Sequence, residues 1–526
     1  MNHKRFNLYF ISRFWAAIAL VAILAGSCNK TLDVQSTHAS TDQTQWKSYD
    51  DAKSGVFGMY ALLKAAYARD NAYWLYGELR DGDFKSVSRT DLSAIISGNL
   101  TASYPVLQDL SNWQPFYAAI NAASLFIERS KGCLADARYT IQNNKVDIAE
   151  AHVVRAFAYY SLARIWGDVP LWTNSNDGDF KALPRSSREK VLQYAEQDIL
   201  SVINDLPYYY GSNSSSPQNI LPGNYFGGTQ FQLENSLFGR IQAYIILAHI
   251  AADLGNYNNV EAYTAYIQNN IGIISSNLGY SPTSTVAQMT NNDQFKDVFA
   301  YRNYRQLVVF NFLYSTGEQG LTNNGHIEYL TIAAPYSSKP LPDMYVPKDT
   351  INAIYTDPSD QRFGIDTSTG LHTDAFFGNY SSNIPIFKKI NILSIAGDGG
   401  VNKALFYQSA MVFSRYEEVL LLRAEALAVL GKNSDALDIL NGLRSNRGLK
   451  ALSLDQVPDM IDAIFAERRR ELIGEGWRWF DIIRYKKIKG NDPVFNALIQ
   501  DGGIYWPVAT EVLGANPKLV QTPHWK

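Results

Sequence analysis

Apolar and polar positions follow a helical period most clearly between residues 415 and 485. Tyr416, Val419, Leu420, Ala424, Leu427 and Leu430 fall on one face of a predicted helix. Gly431 stops it, and Ser434 and Asp435 are placed to cap the next one. That second helix turns Leu437, Leu440 and Leu443 inward and ends near Gly448, with small Ala424 and Ala436 where the backbones approach. The pattern predicts a helical hairpin of the tetratricopeptide type. Further on, Ile461, Ile464, Phe465, Leu472 and Ile473 make a second apolar face, and Arg468 falls on it. A guanidinium on such a face needs a partner. Glu471 and Glu475 lie on the reachable side of the helix. A structural ion-pair knot is expected there, locking the last helix to the hairpin; the rival reading is a catalytic cluster that adds Asp481.

The same period recurs upstream. Ala52, Val56, Met59, Tyr60 and Leu63 predict a helix over 49–68. Trp113, Phe116, Tyr117, Ile120, Ala123 and Ile127 predict another, with Trp113 in the core. The stretch 148–167 is apolar nearly all round, the mark of a helix buried on most sides. Ser186 or Ser187 caps a helix through Val191, Ala195, Ile199 and Ile203. Leu237 to Ala251 makes a further helix, Gly255 and Asn256 break it, and 262–274 returns. Four hairpins result, over 49–128, 148–206, 234–274 and 415–484. Their uneven spacing predicts a mostly α fold, a degenerate helical repeat forming one body. Residues 275–414 lack this period. Strand-like runs appear only at 307–312 and 385–390, so an irregular insert packed on the scaffold is expected.

The first 27 residues have a different pattern. Lys4, Arg5 and Arg13 precede an apolar run from Phe14 to Ala25, too short for a comfortable membrane span. Small residues Ala25, Gly26 and Ser27 then lead into Cys28. This order predicts a secretory signal peptide over 1–27. The cysteine after small residues resembles a bacterial lipobox, with Leu24 one place further away than usual. Diacylglyceride attachment at Cys28 is therefore expected, followed by a polar tether to residue 45.

Composition narrows the remaining classes. The 526 residues carry a formal charge of −3, and removing the three leader cations gives −3 − 3 = −6. A mildly acidic chain without basic runs is a poor nucleic-acid binder. Two cysteines exclude a disulfide framework. No metal-ligand spacing, G-x-S-x-G, H-E-x-x-H or P-loop is present, so neither metal, cofactor nor catalytic residue is predicted. Aromatics reach 13%, with 33 Tyr and 10 Trp, enough to furnish a stacking surface for sugars or peptides.

Several segments together resemble the SusD/RagB family. They are Arg415-Tyr416-Glu417-Glu418-Val419, Arg423-Ala424-Glu425, Glu467-Arg468-Arg469-Arg470-Glu471-Leu472, Glu475-Gly476 and Arg478-Trp479-Phe480-Asp481-Ile482-Ile483-Arg484. Arg155-Ala156-Phe157 through Gly167-Asp168-Val169-Pro170-Leu171 matches a second family signature, to which no chemistry is assigned. The closing segment departs from the family pattern at Val508-Ala509 and at Thr522-Pro523-His524-Trp525. The resemblance implies an N-terminal helical region over 46–274, the insert over 275–414 and a C-terminal core over 415–526. It also implies an outer-membrane lipoprotein facing the cell exterior. Such a protein would bind an oligomeric nutrient, most simply a glycan, and pass it to a TonB-dependent (SusC-like) transporter without chemistry. Trp74 and Asp83 in the acidic turn after the first helix, Tyr208 and Tyr225 bracketing a Gly/Ser/Asn loop, and Tyr336 in the insert are the expected ligand contacts. Two other readings stay open. One is a surface glycoside hydrolase using Glu78 with Asp83. The other is a tetratricopeptide-type scaffold for protein partners.

Overall fold

The structure is a computed structural model. It describes residues 45–526 apart from 177–180, 234, 280, 292–297, 301–304, 311–323 and 397–403. The expected leader, the lipidation site Cys28 and the tether lie outside the described residues.

The helical period folds as helices. They are α1 (Tyr49–Ala68), α2 (Gln114–Arg129), α3 (Ile141–Trp166), α4 (Arg188–Leu200), α5 (Arg240–Leu254), α6 (Tyr257–Leu278), α7 (Tyr416–Val429), α8 (Asn433–Ser445), α9 (Met460–Leu472) and α10 (Arg478–Lys489). Each packs on its predecessor: α1 on α2, α2 on α3, α3 on α4, α4 on α5, α5 on α6. The series then crosses the insert, because α6 packs directly on α7, which holds α8 and α9. One apolar cluster runs from Ala52 in α1 through Phe157, Phe310 and Phe387 to Trp477 and Val512. The scaffold, the insert and the C-terminal segment thus share a core.

Local chemistry sets the ends of these helices. Ser48 caps α1, its hydroxyl accepting from the Asp51 amide at 3.1 Å while the Asp51 carboxylate accepts from the Ser48 amide at 2.9 Å. Ser187 caps α4 as expected. Helix α3 begins seven residues earlier than its apolar face predicts. Thr140 and Asn143 form a reciprocal cap there and add two polar, partly exposed turns. Helix α8 starts at Asn433 with no side-chain cap, so Ser434 and Asp435 lie inside it instead of capping it.

The insert is richer than its pattern predicts. It contains short helices Val286–Thr290, Glu328–Thr331 and Lys348–Ile354. Strand Gln306–Val309 pairs antiparallel with Val412–Arg415 and so delivers the chain into α7. Phe377–Gly378 pairs with Ile386–Phe387, and Leu393–Ala396 with Ala404–Tyr407.

Candidate functional site

The charged residues of the C-terminal segment are buried and paired. Arg468, fully buried, does not use Glu471 or Glu475. It donates to Asp481 on α10 at 3.0 Å and to Glu418 on α7 at 3.3 Å. Glu471 instead accepts from Arg447 at 2.7 and 2.8 Å and from Arg362 at 2.9 Å, with Arg415 also at 2.9 Å. Glu475 takes Arg415 and the buried ammonium of Lys389. The knot therefore joins α7, α9 and α10 to the insert, through Arg362 and Lys389. It is larger than the sequence predicts because two of its cations, Arg362 and Lys389, come from the insert. Burial pushes Lys389 down to about 8. Burial also works against ionisation of Glu418, but His249 and Arg468 outweigh it and hold the carboxyl down to about 2.

Three of the five expected ligand contacts belong to this interior. Trp74 is 1% exposed and packs edge-on against Tyr73 at 4.7 Å, so its ring has no face for a ligand. Asp83 is buried in ion pairs with Arg469 and with Arg478, the latter at 3.3 Å. Tyr225 turns inward from its loop. Its hydroxyl is shared between Asp147 and, at 2.9 Å, Glu150; Tyr139 donates to Asp147 and Tyr60 to Glu150. Among the described residues no cation pairs with these buried carboxyls, and hydroxyls keep them satisfied. The acidic turn and the loop tyrosine are thus keys between elements, a correction to their expected role. Glu78, the other half of the possible carboxylate pair, is also sealed in. It accepts from the Gly474 and Gly476 amides at 2.8 and 2.9 Å. The helix Ala72–Gly77 approaches that turn so closely that a Cβ on Gly77 would collide with the Gly476 carbonyl.

The other two remain at the surface but apart. Tyr208 shares a hydrogen bond with Tyr266 at 2.7 Å and lies 5.1 Å from the Arg240 guanidinium. Tyr336 sits in the insert, on a turn closed by its own amide to Ala333 at 2.9 Å. Its half-buried ring is pinned, the hydroxyl donating to Asp374 at 2.7 Å and the Lys388 ammonium standing 4.8 Å from the ring centroid. Lys388 donates in turn to Asp374 at 2.8 Å, whose carboxylate is 53% exposed. The hairpin of Phe377–Gly378 and Ile386–Phe387 places both groups, and a Cβ on Gly378 would displace the Tyr336 hydroxyl and the Asp374 carboxylate. From the same turn Lys339 reaches the Tyr329 carbonyl at 2.8 Å and Asp343 at 2.9 Å, and Tyr329 packs edge-on to Tyr407 at 5.8 Å. A fixed ring beside an exposed carboxylate and an ammonium supplies a stacking face, an acceptor and a donor. Sequence reasoning named Tyr336 and did not name its neighbours Asp374 and Lys388. Alternation past Phe387 was the available signal: Lys389 is fully buried, whereas Lys388 is only partly so.

The buried acids without cations predict how stability varies with pH. Burial pushes Glu78 and Glu328 each up to about 7, and raises Asp147 and Glu150 as well. The fold binds protons that the unfolded chain has released, so stability is full below the ordinary carboxyl range and declines as pH rises through neutrality. Differential scanning calorimetry should show Tm falling by several degrees from about pH 5 to about pH 8. The Glu328→Gln variant should show a shallower fall. A Tm flat over that interval would refute the protonated state of these groups.

Comparisons with known proteins cover nearly the whole chain. Residues 355–500 match the model of the SusD family, and residues 82–218 match a family described as starch-binding and associating with the outer membrane. A SusD superfamily protein of Bacteroides thetaiotaomicron superposes with a TM-score of 0.80 at 38% identity, over 92% of this chain and 100% of that one. A SusD homologue of the same species shares the fold at 21% identity, with a TM-score of 0.70 over 92% of this chain and 100% of that one. The SusD-like protein P38 of Formosa agariphila is 27% identical, over 94% of this chain and 95% of its own.

Proposed function

The chain belongs to the SusD/RagB family, and from that premise we propose that it is a glycan receptor of the outer membrane, tethered through Cys28. Bound glycan passes unaltered to a partner TonB-dependent transporter. The observation that carries this reading is the pinned Tyr336 ring beside the exposed Asp374 and Lys388. Such a group can stack on a sugar face and hydrogen-bond its hydroxyls, and its one carboxylate does not make the carboxyl pair that glycoside hydrolysis uses. The description of the family matched by residues 82–218 makes starch the first glycan to try. The burial of Glu78 speaks against the hydrolase reading, since a general acid must reach the glycosidic oxygen.

Affinity electrophoresis through gels containing starch and other neutral polysaccharides tests this proposal. The mature protein should be retarded in at least one of them. Tyr336→Ala should weaken the retarding interaction about tenfold or more, equivalent to ~1.4 kcal/mol. Equal mobility of the wild type in every gel would remove the glycan reading.

A further inference from the structure

We infer that the chain carries a second saccharide subsite, a pocket that accepts one neutral sugar ring between the start of α2, the segment after α3 and the C-terminal segment. The inference rests on the glycan reading for its ligand class but on different side chains. The pocket measures about 120 Å³, room for a single ring and not for a peptide helix. Its walls are the rings of Trp113, Tyr117 and Trp172, with the amides of Asn121, Asn174 and Asn176 around them. Among the described residues no acidic or basic side chain lines it. A charged ligand would lose its hydration there without a counter-charge. Sugar hydroxyls, each both donor and acceptor, match amides that are the same, and the C–H face of a pyranose matches the rings.

The pocket is built before any ligand arrives. Tyr117 donates to the Pro170 carbonyl at 2.7 Å, and Tyr159 both donates to the Trp172 carbonyl at 2.6 Å and accepts from its amide at 2.9 Å. Arg155 donates to the Thr173 carbonyl at 3.2 Å. The Ser175 amide reaches Glu128 and the Asn176 amide reaches Asn121, both at 2.7 Å. Trp172 meets Tyr117 edge-on at 4.9 Å. Among the described residues the side-chain amides of Asn174 and Asn176 make no hydrogen bond, so they are available to a ligand. A loop already held in place has little ordering entropy left to lose on binding.

Hydrogen exchange of the full mature chain, with maltotriose as the probe, tests the subsite. Slower exchange is expected in 113–121 and 170–176, separately from any slowing in 333–339 and 374–388. Trp172→Ala should abolish the first effect and leave the second, whereas Tyr336→Ala should do the reverse. Trp172→Phe keeps a ring and should keep the protection; Asn174→Ala, an exposed change, should reduce it in a chain that remains folded. Protection confined to the insert would overturn the second subsite and leave the receptor reading intact. Protection in neither place would overturn both for this sugar class.

Discussion

Glu471→Ala should lower the unfolding free energy by about 3–5 kcal/mol, the cost of breaking a buried ion pair from one side. The carboxylate is 1% exposed and faces Arg447, Arg362 and Arg415, all fully buried. Burial alone would raise its pKa, but Arg447 and Arg415 outweigh burial and hold it well below the usual range. Removing it strips all three guanidiniums of a partner at once and leaves Arg447, among the described residues, with Glu417 at 3.4 Å as its carboxylate. The exposed pair of Arg138 with Asp50 provides the contrast, and Asp50→Ala should leave the denaturation midpoint unchanged. Urea denaturation of both variants reads the difference. A Glu471→Ala loss below about 1 kcal/mol would mean the knot relaxes around the gap, and that it does not join the insert to the helices.

The second large effect concerns attachment to the membrane. Among the described residues no helix is long and apolar enough to cross one. On the proposed reading the acyl chains at Cys28 are the anchor, and several chains hold firmly where one holds only marginally. Cys28→Ala should therefore move nearly all of the protein from the membrane pellet to the soluble fraction. It should also abolish labelling by a palmitate analogue. A variant that still pellets and still takes up label would show that Cys28 is not the site.

Much of the fold was legible in the chain because helices announce themselves through period. The face of α1 and the hairpin of α7 with α8 follow from apolar spacing, and so does the burial of α3. What spacing cannot give is who stands opposite. Arg468 and Glu471 lie three residues apart on one helix, yet each turns to a different neighbour across the core. Trp74, Asp83 and Tyr225 share the composition of a binding surface, aromatic and acidic. Asp83 and Tyr225 are buried because their partners, Arg469 and Arg478 for the first and Asp147 and Glu150 for the second, approach from segments distant in sequence, while Trp74 packs on its own neighbour Tyr73. Trp172 is illegible in the sequence for a related reason. It lies one residue past the signature that ends at Leu171, to which no chemistry is assigned, and only the packing of Tyr117 and the C-terminal segment beside it makes a pocket.

The most direct measurement is a calorimetric titration of the mature protein with starch-derived oligosaccharides, followed by chromatography of the cell contents. Saturable heat with every oligosaccharide recovered at its original length is the expected result. Shortened products from the wild type, absent with Glu78→Gln, would contradict a receptor that leaves its cargo intact.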